Sequence, residues 1–157
     1  MGHWNYHDHP HFDKPKTTDD YLERMSKIVF STGLNWNVVE KKWPNIRKAF
    51  RDFSTDKVAK FSDDDVERLL GDQGVIRSGS KINAIIKNAR ASQELEREFG
   101  SFGKYFAAMK KEGIEPLLKD LKKRFSYMGE STAVMFIFGC GEETPEIDKF
   151  VEKSHKK

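Results

Sequence analysis

Residues 121–151 read LKKRFSYMGESTAVMFIFGCGEETPEIDKFV, and they carry the most informative pattern in the chain. Its first part predicts a helix that ends in a basic run, its middle predicts a tight turn at residues 127–130, and its apolar part predicts a second helix that begins at Ser131 or Thr132. Helix, hairpin and helix therefore follow one another over about residues 122–139. Because a glycine in the turn lets backbone N–H groups point outward, and the second helix adds the partial positive charge of its N-terminus, the unit predicts a site for an anion such as a DNA phosphate.

The hairpin supplies the predicted contacts to a DNA backbone. Backbone N–H groups and hydroxyls near a turn, together with neighbouring lysines, are groups that commonly bind phosphate. Glu130 counts against this interpretation, because a negative charge in the turn weakens the binding of an anion, although the basic run that ends in Arg124 can compensate for it. The predicted DNA-backbone residues are Met128, Gly129, Ser131, Thr132, Lys122 and Lys123.

The composition favours one folded domain. The 157 residues carry 28 Lys+Arg against 25 Asp+Glu, and the net charge of +3 is too small to indicate a nucleic-acid binder by itself. The 12 Phe, 4 Tyr and 3 Trp argue against a disordered polyampholyte, which characteristically lacks aromatic residues. No apolar run approaches the length of a membrane span, and Cys140 is the only cysteine. We therefore expect a cytoplasmic protein without membrane contacts or internal disulfides.

Helical signals dominate the rest of the chain. Two capping boxes, Thr17 with Asp20 and Ser62 with Asp65, predict helix starts. Apolar residues at three- and four-residue steps predict a long helix over about residues 80–98. These patterns indicate short connections between helices.

The region between the two capping boxes predicts two further helices. Asn35 predicts the cap of a helix that carries Trp36. Pro44 then fits the first turn of another helix, which holds Phe50 and Phe53. The sequence therefore predicts a helix boundary just before Pro44.

The fold class follows from these elements. Short Val/Ile runs never alternate cleanly over the length of a strand, so we predict an all-α fold with about eight or nine helices. Residues 1–16 are rich in His, aromatics and Pro without a sustained period, which indicates an irregular N-terminal arm. Residues 17–157 are predicted to form a single domain that contains the hairpin.

The hairpin region resembles the helix-hairpin-helix DNA glycosylase superfamily. That signature combines an apolar-Gly-x-x-Thr-Ala pattern, which Met128 to Ala133 match, with an aspartate in a Val-Asp-x-His-Val-like segment. Asp148 lies fifteen positions after Ala133, and Phe150 replaces the usual His. The resemblance implies that Asp148 is the catalytic residue, which stabilises positive charge on the sugar as the base leaves.

The chemistry expected of Asp148 is sensible in its own right. A carboxylate in the first turns of a helix is kept ionised by the helix dipole and can stabilise an oxocarbenium-like centre. A solvated aspartate near a helix N-terminus is the alternative. Bifunctional members of the superfamily carry a Lys directly before Thr-Ala, where this chain has Ser131. Because a hydroxyl cannot form an imine, the resemblance implies a monofunctional enzyme that leaves an abasic site.

The middle of the chain resembles the 3-methyladenine DNA glycosylase I family. Residues 65–91, DVERLLGDQGVIRSGSKINAIIKNARA, follow the family closely, and residues 32–36, TGLNW, are similar to its Ala-Gly-Leu-Ser-Trp. Tyr6-His7-Asp8 matches in the arm. The similarity covers about residues 20–95, with weaker matches at both ends. It implies an enzyme that flips a damaged base out of duplex DNA into an aromatic pocket.

The resemblance also implies a base pocket and a DNA wedge. Tyr6 and Trp36 match the stacking positions, and Phe12 is a further candidate, because aromatic faces suit a cationic methylated purine. Gly33 and Leu34 match the loop that enters the gap left by the flipped base. The alternatives are core packing for Trp36, an arm that clamps the core for Tyr6, and helix capping for the loop.

The sequence departs from the family at two sites. The family's pocket carries a Glu eight residues before the Trp, and Ile28 in this position cannot form that hydrogen bond with the base. The family also has a zinc site of two Cys and two His; His7 matches one ligand, but Cys140 is the only cysteine. We therefore predict no metal site and no cofactor. The histidines of the arm are interpreted as incidental: His3, His7, His9 and His11.

These features predict a monofunctional DNA glycosylase of base excision repair. It would bind double-stranded DNA as a monomer and excise an alkylated purine such as 3-methyladenine, in a prokaryotic, nucleoid-associated setting. One alternative is a glycosylase for a deaminated base, uracil or hypoxanthine, which Asp148 favours. Another is a non-catalytic helix-hairpin-helix protein that binds damaged DNA, which Ile28 and Glu130 favour. A helical interaction domain that does not bind DNA is the third.

Overall fold

Eight α-helices and one short 3-10 turn make up the described part of the chain, residues 14–141, in a computed structural model. No strand is present over these residues, so the all-α fold class predicted from the sequence is confirmed. None of the helices described is both long and apolar enough to cross a membrane. The helices are α1 (Thr18–Ser31), α2 (Trp36–Ala49), α3 (Thr55–Ala59), α4 (Asp63–Leu70), α5 (Gly79–Phe99), α6 (Phe102–Lys110), α7 (Ile114–Arg124) and α8 (Glu130–Gly139), and the 3-10 turn is Arg51–Phe53.

Local capping signals placed several helix starts correctly. Both predicted capping boxes are present: Thr17 and Asp20 exchange side-chain to backbone hydrogen bonds before α1, and Ser62 pairs with Asp65 before α4. Asn35 caps α2 as predicted, with its Oδ1 accepting from the backbone N–H two residues later at 2.7 Å. Each cap satisfies backbone donors that the first helical turn leaves without an intrahelical partner.

The boundary predicted at Pro44 is wrong. Pro44 lies inside α2, on its exposed face, and one helix runs through from Trp36 to Ala49. A proline ring is tolerated there because the missing N–H bond lies on the side that faces water, where solvent can satisfy the carbonyl left without a donor. The chain turns only afterwards: Phe50 is the C-cap of α2, and Phe53 ends a turn whose three residues have φ between 55° and 56°.

Helix α1 lies between two groups of aromatic side chains and joins them into one core. Near its start, Tyr21 stacks on Phe102 of α6 with ring centroids 4.6 Å apart. At its other end, Phe30 packs edge-on against Phe50 at 5.8 Å. Helix α1 also contacts α2, α5 and α8. The core therefore fixes α1 relative to the connection that follows it and to α8, the two places where the sequence predicts DNA contacts.

Candidate nucleic-acid interface

The connection between α7 and α8 forms the predicted hairpin, at residues 125–129. Phe125 and Met128 are buried and anchor it, and Phe125 stacks on Phe102 with centroids 5.8 Å apart. Gly129 is exposed, and a Cβ added there would have no heavy atom within 4 Å. The hairpin thus has two apolar anchors and an open glycine through which a ligand can approach the backbone.

The N-terminus of α8 carries no side-chain cap. Gly129 is its N-cap, and the first backbone bond of the helix, from Ala133 N–H to Gly129 O, measures 2.8 Å. The helix begins at Glu130, one residue before the predicted start, so Glu130 occupies its first turn. Ser131 is exposed and Thr132 is half-buried. The first-turn N–H groups are therefore available to an acceptor, while Glu130 adds a negative charge beside them.

The basic run before the hairpin divides into two kinds of residue. Lys122 and Lys123 are exposed on the last turn of α7. Arg124 instead pairs with Asp120 at 2.6 Å and with Glu98 at 2.9 Å. Its guanidinium carbon also lies 5.5 Å from the ring centroids of Phe99 and Tyr105. Compensation of Glu130 by Arg124 is thus reduced, because Asp120 and Glu98 already pair with its charge, whereas Lys122 and Lys123 are exposed.

The connection between α1 and α2 carries the predicted wedge. Gly33 is exposed with φ 75°, and Leu34 is half-buried against the core. Lys81 of α5 holds this connection in place: its Nζ donates to Phe30 O at 3.2 Å and to Thr32 O at 2.5 Å. Burial lowers the pKa of Lys81. The lysine side chain thereby ties the end of α1 to the start of α5.

Trp36 is the first residue of α2 and is half-buried. Lys27 lies over it, with Nζ 5.2 Å from the Trp36 ring centroid and 5.5 Å from that of Trp43. Lys27 also forms an ion pair with Glu40. The two indoles thus already face a cation, the kind of partner that an aromatic face attracts.

Ile28 is buried in the contact between α1 and α8. Its side chain is 2% exposed, and a Cβ added at Gly139 would lie 3.3 Å from Ile28 Cδ1. Arg24, one turn earlier, donates a hydrogen bond to Gly139 O. Because position 28 faces this helix contact, its isoleucine contributes apolar packing and no hydrogen-bonding group.

A cavity of about 330 Å³ lies along α1 beside Lys27 and Trp43. Its wall mixes both signs of charge. Glu23, one of its carboxylates, accepts a hydrogen bond from Trp43 Nε1 at 2.8 Å and another from Arg47 Nε at 3.3 Å. The residues that line it are Lys14, Pro15, Lys16, Asp20, Glu23, Arg24, Lys27 and Trp43.

Comparison with known proteins identifies the family. The family model described as Methyladenine glycosylase matches residues 2–135, most of the chain. The chain belongs to the methyladenine glycosylase family. The resemblance inferred from the sequence is therefore confirmed.

Individual members of the family align over most of their length. The chain is 33% identical to DNA-3-methyladenine glycosylase 1 of Escherichia coli K12 over 156 residues, which covers 87% of this chain and 83% of the relative. A crystal structure of 3-methyladenine DNA glycosylase I shares 31% identity, covers 82% of both chains and superposes with a TM-score of 0.72. The Staphylococcus aureus enzyme, described with the structural basis of its 3-methyladenine recognition, shares 25% identity, covers 88% of this chain and 84% of its own, and gives a TM-score of 0.76.

Several of the predicted site residues lie outside residues 14–141, the part of this methyladenine glycosylase family member that the structure describes. They are the catalytic candidate Asp148 and the arm residues Tyr6, Phe12 and His7. Cys140 is buried at the C-cap of α8 and is the only cysteine in the chain. The donor set for a zinc site of two Cys and two His is therefore not available in this sequence.

Sequence reasoning missed the long-range polar residues that hold the α1–α2 connection and the hairpin in place. Lys81 reaches across 49 residues to Thr32, and Asn88 reaches across 38 residues to Ser126. Neither residue belongs to a local motif with a known spacing. For Asn88, the signal that could have found it is a polar residue on the apolar stripe of α5, where the side chain is 1% exposed.

Proposed function

We propose that this chain is a monofunctional DNA glycosylase that excises an alkylated purine such as 3-methyladenine from double-stranded DNA. The observation that carries the proposal is the match of residues 2–135 to the methyladenine glycosylase family. The E. coli relative is named for 3-methyladenine, and the S. aureus structure is described by its recognition of that base. The uncapped N-terminus of α8 beside two exposed lysines supports the same assignment.

DNA binding in this proposal begins at the hairpin. The backbone N–H groups of the first turn of α8 bind a phosphate, and Ser131 and Thr132 add hydroxyl donors. Lys122 and Lys123 supply sequence-independent attraction to neighbouring phosphates. Leu34, presented by the turn at Gly33, enters the stack where the damaged nucleotide leaves it. Met128 supports the hairpin from the protein core. Because its side chain is buried, it anchors the hairpin and does not contact the duplex.

Base excision then requires little acid catalysis. An N3-methylated purine nucleotide is cationic, so the glycosidic electron pair moves to the base as the C1′–N bond breaks, and the base leaves neutral. A water oxygen forms the new bond to C1′ and releases a proton to solvent. Asp148 stabilises the positive charge that develops on the sugar. Ser131 stands where a lysine nucleophile would be needed for an imine, so the product is an abasic site.

The base pocket combines Trp36 with Tyr6 and Phe12 from the arm at residues 1–16. Stacking between aromatic faces holds the flipped base, and Ile28, which is buried against α8, supplies no hydrogen bond to it. Lys27 lies over Trp36, and a positive charge beside the ring opposes a second cation. That observation favours a second candidate function, the excision of a neutral base such as hypoxanthine or uracil.

Base release from defined duplexes tests the proposal. We would incubate the full-length protein with duplexes that carry 3-methyladenine, 7-methylguanine, hypoxanthine or uracil, and compare it with the Asp148→Asn variant. Release of 3-methyladenine that is lost in the variant supports the primary proposal, whereas release of hypoxanthine or uracil alone supports the second candidate. Binding of damaged duplex without release of any base would replace both with a non-catalytic role. Full activity of Asp148→Asn would remove Asp148 from the mechanism.

The setting of the reaction completes the proposal. The protein acts as a monomer, without a cofactor, on chromosomal DNA of the nucleoid in a prokaryotic cytoplasm. In this proposal residues 17–157 belong to one domain, which follows the N-terminal arm at residues 1–16. Light scattering of the protein alone and with duplex DNA tests whether the protein is a monomer. A monomer should bind with one protein chain for each damaged base in the duplex.

A further inference from the structure

Asn88 of α5 and Ser126 of the hairpin exchange two hydrogen bonds. Asn88 Nδ2 donates to Ser126 O at 3.1 Å, and Ser126 N–H donates to Asn88 Oδ1 at 2.7 Å. The asparagine side chain is 1% exposed. One buried amide therefore satisfies both the donor and the acceptor of a single hairpin residue, at a sequence separation of 38 residues.

This pairing gives the hairpin an orientation that apolar packing cannot. Phe125 and Met128 bury the hairpin on either side of Ser126, but hydrophobic contacts are not directional. The two hydrogen bonds have defined lengths and angles, and they act on the backbone itself. They hold the main chain three residues before Gly129, where α8 begins.

The conformation of the hairpin needs such support. Tyr127, directly after Ser126, has φ 58°, a left-handed backbone conformation that disfavours residues with a Cβ. Residues in this region persist only when the surrounding structure holds them there. Asn88 fixes the residue before Tyr127, and an exposed bond of 2.7 Å between Tyr127 OH and Ser80 Oγ holds the side chain. Both partners belong to α5.

We infer that Asn88 is a positioning residue for the DNA-binding hairpin. It does not contact DNA; it fixes Ser126 so that the N–H groups at the start of α8 face a phosphate. This inference rests on the proposed function, since it assumes that the hairpin binds DNA. Loss of the amide leaves the hairpin folded but free to rotate, and the phosphate contact weakens.

The test compares Asn88→Ala with Ser92→Ala. Ser92 is also buried in α5, one turn later, and its Oγ donates to Asn88 O at 2.8 Å rather than to the hairpin. We would measure the Kd of the full-length variants for a fluorescent duplex with an abasic-site analogue over a range of salt concentrations. We expect Asn88→Ala to weaken binding about tenfold and to reduce the slope of log Kd against log salt by about one, the signature of one lost phosphate contact. Ser92→Ala should keep the wild-type affinity and slope.

A second variant keeps the inference testable where Asn88→Ala fails to fold. Asn88→Asp has the same shape, and its protonated carboxyl group can both donate to Ser126 O and accept from Ser126 N–H. Burial raises the pKa of such a group. The ratio of variant to wild-type Kd should therefore fall towards one as the pH is lowered. A ratio that stays constant with pH, or an unchanged salt slope in Asn88→Ala, overturns the inference. Failure of the wild-type protein to bind the duplex overturns the proposed function instead.

Discussion

The Lys27 ammonium lies 5.2 Å from the centre of the Trp36 ring, on an indole that the family resemblance places in the base pocket. A cationic methylated purine stacked there meets a like charge, whereas a neutral base does not. The pairing with Glu40 reduces this repulsion without removing it. Under the proposed function, Lys27 is therefore in a position to influence which damaged bases are accepted.

Removal of the Lys27 charge should favour alkylated bases. We expect Lys27→Met, which keeps an unbranched side chain one atom shorter, to raise kcat/KM for 3-methyladenine about two- to fivefold, the equivalent of roughly 0.5–1 kcal/mol. Release of hypoxanthine should not rise with it. Lys41→Met, which removes an exposed charge from α2, is the matched control. Equal changes for cationic and neutral bases would contradict a specificity role for Lys27.

The hydrogen bonds from Lys81 to the end of α1 should stabilise the fold and hold the predicted wedge, Gly33 and Leu34, in place. Lys81→Met removes the hydrogen bonds to Phe30 O and Thr32 O, and we expect the free energy of unfolding to fall by about 1–2 kcal/mol. Urea unfolding followed by circular dichroism measures this. Lys87→Met, at an exposed position of the same helix, should change stability little. An Lys81 variant as stable as the Lys87 variant would show that the tether contributes nothing to stability.

Gly33 is required by its backbone conformation rather than by crowding. Its φ is 75°, and a Cβ there would have no heavy atom within 4 Å. We expect Gly33→Ala to lower the free energy of unfolding by about 1 kcal/mol, because the added methyl group strains a left-handed conformation. Gly79→Ala is the control: it also adds a Cβ in open space, but at the start of α5 without a positive φ. The prediction fails if both substitutions have the same effect.

The capping box at α4 should make stability depend on pH in the acid range. The backbone hydrogen bond from Ser62 lowers the pKa of Asp65, bonds and attraction from Arg68 lower it further, and burial opposes them. The folded protein therefore keeps the carboxylate at a lower pH than the unfolded chain does. The stabilisation is present in full above the ordinary aspartate value of about 3.9 and is lost as the pH falls through the lower folded-state pKa.

This dependence can be measured with Asp65→Asn. We expect the variant to be about 0.5–1 kcal/mol less stable than the wild type near neutral pH, and the difference should shrink below about pH 4. Urea midpoints between pH 7 and pH 2 give both values. Asp64→Asn removes a charge from the same turn but leaves the capping box intact. It therefore distinguishes the stabilisation by the capping box from that by a negative charge near the positive end of the helix dipole. A difference that persists at pH 2 would rule out the carboxylate as its source.

Elements with local signals could be predicted from the sequence, and those that depend on distant contacts could not. Thr17 with Asp20 and Ser62 with Asp65 determine helix starts within four residues, so spacing alone revealed them. The helix boundary predicted at Pro44 was wrong because proline favours the first turn of a helix but is also tolerated on an exposed helix face. Only the packing of α2 decides which of these positions the proline occupies.

The candidate site shows the same division. The hairpin was predicted because glycine, lysines and an apolar helix follow one another along the chain. The long-range partners of Arg124 were not predicted, since Glu98 lies 26 residues away and the rings of Phe99 and Tyr105 come from other helices. The burial of Ile28 against Gly139 likewise depends on two helices that are far apart in sequence.

Glu130 should weaken DNA binding by the hairpin, because its charge lies in the first turn of α8, where the phosphate is proposed to bind. We expect Glu130→Gln to lower the Kd for duplex DNA about threefold at low salt, with a smaller effect as salt screens the repulsion. Fluorescence anisotropy over a salt series measures this. Glu115→Gln, at an exposed position in the first turn of α7, is the matched control and should leave the Kd unchanged. Equal tightening in both variants would indicate a general effect of net charge and not a phosphate site at the hairpin.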